Sequence, residues 1–171
     1  MDRRKPIVLI GMPGSGKTTI GRLLANRAGY EFVDTDVFIE EKEKRKIKDI
    51  FATDGEDEFR RLETLSFKMV IEANRVIATG GGIVKRDENY YIAKEGIVVF
   101  IDRPLDDIMA DIKIDDRPLL ADGRERLLKL YNERYDKYLK WADIHIKETN
   151  TIEEVIDKII DEVKNYENNG N

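Results

Sequence analysis

One octapeptide constrains this chain more than any other feature. Gly11-Met12-Pro13-Gly14-Ser15-Gly16-Lys17-Thr18 follows directly on the apolar run Ile7–Ile10 and leads into an amphipathic stretch from Thr18 to Ala28. The spacing G-x-x-x-x-G-K-[ST], with a strand before it and a helix after it, is that of a phosphate-cradling loop in an open α/β fold. Small residues let the backbone wrap an anion, so that successive N–H groups and the positive end of the next helix converge on it. The motif assigns Gly14, Ser15, Gly16, Lys17, Thr18 and Thr19 to a nucleoside triphosphate, Lys17 reaching the β/γ oxygens and the Thr18 hydroxyl serving Mg²⁺. A glycine-rich turn without a ligand is the alternative, and eight matched positions in this context weigh against it.

The remainder of the chain continues the same alternation. Short apolar runs at Ile7–Ile10, Glu31–Val33, Val76–Ala78, Ile97–Ile101 and Ile144–Ile146 read as strands, and several are nearly all apolar, as strands covered on both faces should be. Between them Thr18–Ala28, Glu56–Ala73, Arg124–Lys140 and Ile152–Val163 carry apolar residues at helical spacing. A length of 171 residues suits one domain with a sizeable core, so the expected fold is a single three-layer α/β/α domain over residues 1–171 with a parallel five-stranded sheet. The mixed-sign run Glu40–Asp49 reads as the solvated face of a helix, and the polar tail Asn165–Asn171 reads as frayed. Ile112–Asp122, which contains Arg117-Pro118, has weak periodicity and is expected to be a mobile lid.

Composition narrows the chemistry. There is no cysteine and a single histidine, His145, which excludes disulfides, thiolate nucleophiles and histidine-rich metal sites. A net charge of −5 disfavours a sequence-independent grip on nucleic acid. No segment reaches the ~18 apolar residues of a membrane helix, so no membrane partner and a cytoplasmic, reducing location are expected.

The loop identifies a donor and leaves the acceptor open, because GTPases, ATPases and small-molecule kinases share it. The base-reading N-K-x-D pattern of GTPases is absent, and the strand Val76–Ala78 runs into Thr79-Gly80-Gly81-Gly82 where an ATPase motif would end in Asp. Both points lean towards the nucleoside monophosphate kinase architecture and a small acceptor. Asp34-Thr35-Asp36 ends the second strand beside the loop, where ligands of open α/β sheets bind. Read as extended chain, one of its two carboxylates is expected to serve a metal and the other a second substrate, although either could instead cap the next helix. By periodicity alone Arg60 and Arg61 read as surface residues paired with acids.

Taken together, GMPGSGKTTIGRLLA, DTD, IFATDGEDEFRRLE, ATGGGIV, RPLL and ERYDKY resemble the shikimate kinase family in order and spacing, from about Ile7 to Ile146. The resemblance implies a P-loop kinase with strand order 2-3-1-4-5 that transfers phosphate from ATP, with Mg²⁺, to the 3-hydroxyl of shikimate. It implies a substrate-binding segment over about residues 34–62 and a monomer. Asp34 would hold Mg²⁺ through water, with Thr18 as the other protein ligand. Asp36 would bind the shikimate hydroxyls and draw the proton from the attacking one. Arg60 and Arg134 would grip the carboxylate, while the amides of Gly80, Gly81 and Gly82 lie against the ring. Arg117 would close with the lid on the ATP phosphates and join Lys17 and Asp36 in catalysis.

The chain also departs from that family. Met109-Ala110-Asp111 stands where arginines that lie on the adenine are usual, Thr149-Asn150-Thr151-Ile152 lacks a second such arginine, and Tyr135-Asp136 replaces a proline after Arg134. The adenine site must therefore be built differently. A kinase for another small hydroxylated acid such as gluconate, and a nucleotide-binding regulatory module without catalysis, are the competing readings.

Overall fold

A computed structural model describes the backbone of residues 2–115, 120–148 and 151–170, and the side chains of 2–111, 123–148 and 151–170. Five strands, β1 (Ile7–Ile10), β2 (Glu31–Asp34), β3 (Arg75–Ala78), β4 (Ile97–Asp102) and β5 (Ile144–Lys147), form one parallel sheet in the order β2-β3-β1-β4-β5. The order and class are those expected, and each strand lies within one residue of its sequence assignment. The central strand β1 is wholly buried, and its alternate residues feed two cores. Val8 and Ile10 join Phe67, Phe100, Tyr138 and Trp141 on one face, whereas Ile7 and Leu9 join Ile20, Leu24, Ile156 and Ile159 on the other. At one edge of the sheet β5 alternates buried and exposed residues, which is why its apolar signal in the sequence is short.

Helices cover both faces. α1 (Lys17–Ala28) and α8 (Ile152–Asn169) pack on one side, and α4 (Glu56–Val70), α5 (Asp87–Ala93), α6 (Leu105–Asp115) and α7 (Leu120–Trp141) lie on the other. α2 (Thr35–Glu43) and α3 (Ile47–Asp54) form a separate small core with α4 through Ile39, Ile50, Phe59 and Leu62. That annex walls the acceptor side of the sheet.

Four expectations need correction. Asp34-Thr35-Asp36 is not extended throughout, because α2 begins at Thr35. Asp34 is its N-cap and accepts from the N–H groups of Asp36 and Val37, so a capping bond draws the chain into a helical turn. The run Glu40–Asp49 is two helices rather than one: Lys44 takes a left-handed conformation (φ 55°) that ends α2, and Glu40 Oε2 accepts from the Ile47 N–H that opens α3. The tail is helical as far as Asn169, and Gly170 closes the helix by donating its N–H to the Tyr166 carbonyl. The segment 112–122 is not irregular throughout, since α6 runs to Asp115 and α7 starts at Leu120. Arg117 lies outside the described residues.

Candidate active site

The C-terminal ends of β1, β2 and β3 open into a cavity of about 580 Å³, lined by the glycine loop, Asp34, Asp36, Phe59, Arg60, Glu63, Thr79 to Gly82 and Arg134. Each element contributes through its own local geometry. Gly11, Gly14 and Gly16 have φ of 152°, 80° and 89°, and a Cβ on Gly11 would come within 2.5 Å of the Ile101 carbonyl oxygen. Only glycine fits that approach of β4 to the loop.

Lys17 is buried and folded back, its Nζ donating to the carbonyls of Gly11 (2.7 Å) and Met12 (2.9 Å). Burial lowers its pKa to about 8 even though Asp36 and Asp34 favour the charged form. Beside it the Thr18 hydroxyl donates to Asp34 Oδ2 at 2.6 Å. Among the described residues no group of three or more acidic or histidine side chains could hold a metal alone. One hydroxyl and one carboxylate nevertheless fit Mg²⁺, which binds through one or two protein oxygens and completes its shell with phosphate oxygens and water.

Asp36 faces the cavity from the first turn of α2. Burial raises its pKa, the Asp34 charge adds to this, and Lys17 and Arg60 oppose it. A Cβ on Gly80 would lie 3.0 Å from Asp36 Oδ1, and one on Gly82 would overlap the Arg60 guanidinium, so the glycines after β3 are what let these groups approach the backbone. The loop itself is fixed by Thr79 Oγ1 donating to Leu9 O (2.7 Å) and by the buried Tyr138 hydroxyl donating to Gly81 O (2.5 Å).

Arg60 reaches the cavity wall from α4, donating to Glu63 Oε1 at 2.9 Å, whereas Arg61 turns outward to Glu58. The surface reading was right for Arg61 and wrong for Arg60. Arg134 projects from α7 and is only 7% exposed. Glu63, absent from the sequence reading, is 1% exposed; its acidic pKa is raised by burial against the pull of Arg60.

Among the described residues Asp36 Oδ1, Glu63 Oε2 and Arg134 Nε are buried without a hydrogen-bond partner, and all three belong to residues of this one cavity. Buried polar atoms are rarely left so. A ligand carrying hydroxyl donors and an anionic acceptor would satisfy them. His145 stands apart from the cavity: it stacks on Phe100 at 5.1 Å and hydrogen-bonds Asp102, which also accepts from Tyr135.

Comparison with known proteins agrees with this geometry. A family model described as shikimate kinase matches residues 13–164. A shikimate kinase of Clostridium botulinum is 46% identical over 158 residues, which cover 91% of this chain and 95% of that protein. One of Persephonella marina is 43% identical over 143 residues, covering 82% and 87%. Among solved structures, the shikimate kinase from Acinetobacter baumannii in complex with shikimate superposes with a TM-score of 0.86 at 34% identity, over 95% of this chain and 94% of that one. A gluconokinase from Sinorhizobium meliloti, with a TM-score of 0.63 at 15% identity over 98% and 97%, shares the fold.

Proposed function

Because the chain belongs to the shikimate kinase family, we propose that it phosphorylates the 3-hydroxyl of shikimate with ATP, a step of aromatic amino-acid biosynthesis, using the cavity between the glycine loop and Arg134. The observation that carries this assignment to the residues is the set of orphaned polar atoms on Asp36, Glu63 and Arg134 in a cavity that also holds Arg60. Shikimate offers a carboxylate and hydroxyls on one ring, the two chemistries that these groups lack. Two guanidinium groups suit the planar carboxylate, and Asp36 suits the hydroxyls.

The glycine loop from Gly14 to Gly16, with Lys17, Thr18 and Thr19, holds the ATP phosphates. Lys17 must leave the Gly11 and Met12 carbonyls to reach the β/γ oxygens, and the phosphate charge then restores its full protonation. Thr18 and Asp34 would hold Mg²⁺, which supplies charge neutralisation on the phosphate oxygens. Asp36 orients the acceptor hydroxyl and takes its proton as the oxygen–phosphorus bond forms and the bond to the ADP oxygen breaks. The amides of Gly80, Gly81 and Gly82 lie against the ring. From the lid, Arg117 adds positive charge to the transferring group. Little covalent work falls to the protein, so positioning and charge carry the rate.

A coupled assay should return ADP and shikimate 3-phosphate in equal amounts. Absence of shikimate-dependent turnover with Mg-ATP would overturn the proposal, and acceptor screening would expose a different hydroxy acid. The gluconate reading draws only on a shared fold, and a module without catalysis would have no use for a carboxylate at Asp36 that shares its cavity with Lys17, Arg60 and Arg134.

A further inference from the structure

The acceptor groups all stand on the β2–β3 side of the glycine loop or on α7, so a phosphate transferred to them must point that way. The rest of the nucleotide must then leave the loop in the opposite direction, across the C-terminal ends of β4 and β5. Arg103 stands there, in the turn between β4 and α6. Its Nη1 donates to the Gly14 carbonyl at 2.9 Å and to Asp111 Oδ2 at 2.6 Å, and its side chain is 24% exposed. Glu148, just after β5, closes the same side: its Oε1 lies 3.9 Å from where a Cβ on Gly16 would be, and its buried Oε2 has no partner among the described residues.

We propose that Arg103, held by Asp111, is the residue on which the nucleoside of ATP rests, its planar guanidinium stacking on the base while Glu148 accepts a hydrogen bond from the nucleoside. Charge favours stacking over phosphate binding. A guanidinium 2.6 Å from a carboxylate is locally neutralised and adds little attraction for phosphate, but its flat face still binds a purine. The place also accounts for Asp111: it stands where the family resemblance leads one to expect an arginine, and it secures an arginine supplied eight positions earlier.

The inference rests on nucleotide binding by the glycine loop, and the test separates the two. Calorimetry would compare Mg-ADP with inorganic tripolyphosphate, which has the phosphates and no nucleoside. Arg103→Ala should weaken ADP about tenfold, the scale of one lost cation–π contact, and leave tripolyphosphate within about twofold. Arg103→Met, which keeps the stem and its packing, should do the same, and the KM for shikimate should hold in both. Glu148→Gln should weaken ADP and spare tripolyphosphate. Equal loss of ADP and tripolyphosphate would make Arg103 a phosphate or loop-shape residue and overturn the proposal, as would unchanged ADP affinity. Full recovery of ADP binding in Arg103→Lys would also overturn it, because charge without a plane would then suffice. If neither probe bound the unaltered protein, the failure would belong to the nucleotide-binding reading instead.

Discussion

Glu63 and Arg60 stand one helical turn apart on α4 and meet at 2.9 Å, the carboxylate 1% exposed and its second oxygen unpartnered among the described residues. A buried charge with a single partner is costly unless it holds that partner where it is needed. Here it holds Arg60 against the backbone of Gly82. Glu63→Ala should therefore raise the KM for shikimate about tenfold with a smaller change in kcat, the expected scale for losing a charged hydrogen bond. Glu63→Gln keeps an acceptor at the same place and should lose less. Steady-state kinetics with varied shikimate at saturating ATP checks both, and an unchanged KM in the alanine variant would remove Glu63 from the positioning role.

Gly82 offers the complementary experiment from the backbone. Its φ of −91° is open to any residue, so alanine costs nothing locally, but the added methyl would occupy the space of the Arg60 guanidinium. A flexible side-chain end can move away. Gly82→Ala should thus melt within about 2 °C of the parent, while its KM for shikimate rises by about tenfold or more as Arg60 is displaced. Gly11→Ala should show the reverse emphasis: its Cβ meets a backbone oxygen of β4 at 2.5 Å in a left-handed region, and the fold itself has to yield.

Lys17 links activity and stability in opposite senses. Its pKa is about 8 when folded against a normal value of 10.5, so between those values the unfolded chain binds more protons and stability rises with pH. Below about pH 8 the cost of burying the charge is constant. Lys17→Met should abolish phosphoryl transfer and raise the melting temperature at pH 7, with about 2–4 °C for each kcal/mol recovered in a chain of this size. That gain should shrink as the pH is raised from 8 towards 10. Calorimetry offers a second readout: Mg-ATP binding near pH 8 should take up protons, seen as a heat that varies with buffer ionisation enthalpy.

Asp36 should set the acidic limit of shikimate binding. Burial and Asp34 both raise its pKa, so affinity for shikimate without nucleotide should fall as pH drops through a point above the ordinary carboxylate value near 3.8. Asp34→Asn removes one of the two causes and should move that point to lower pH. Asp36→Asn should flatten the profile and lower kcat by about 10²–10⁴-fold, the range for a lost proton acceptor. A profile in Asp36→Asn that still bends at the same pH would assign the titration to another group.

Much of this was written in local sequence. The strands declared themselves because β1, Val76–Ala78 of β3 and Ile97–Ile101 of β4 are buried on both faces and therefore apolar, and the glycine loop because its spacing is dictated by a phosphate. What remained hidden depends on tertiary contact. Periodicity could not separate Arg60 from Arg61, since adjacent residues on a helix differ by only 100° and the annex of α2 and α3 decides which one is enclosed. Glu63 looked like any acid on a charged helix. Arg103 sat in an ordinary turn, and only the return of the chain to the Gly14 carbonyl gave it a place. At Asp34 the sequence allowed both an extended reading and a helix cap, and the capping bonds to Asp36 and Val37 decide for the cap.

Within five residues α7 engages three different parts of the molecule. Arg134 enters the acceptor cavity, Tyr135 holds Asp102 at the end of β4 (2.8 Å), and Tyr138 holds the glycine loop after β3. Such a helix works like a key with three teeth, cut at fixed angular offsets. Adding or removing one residue ahead of Arg134 would turn it by 100° against at least one of those locks, and no tilt restores all three. A residue gained or lost within α7 ahead of Arg134 is therefore a change to the cavity itself, whatever side chain it carries.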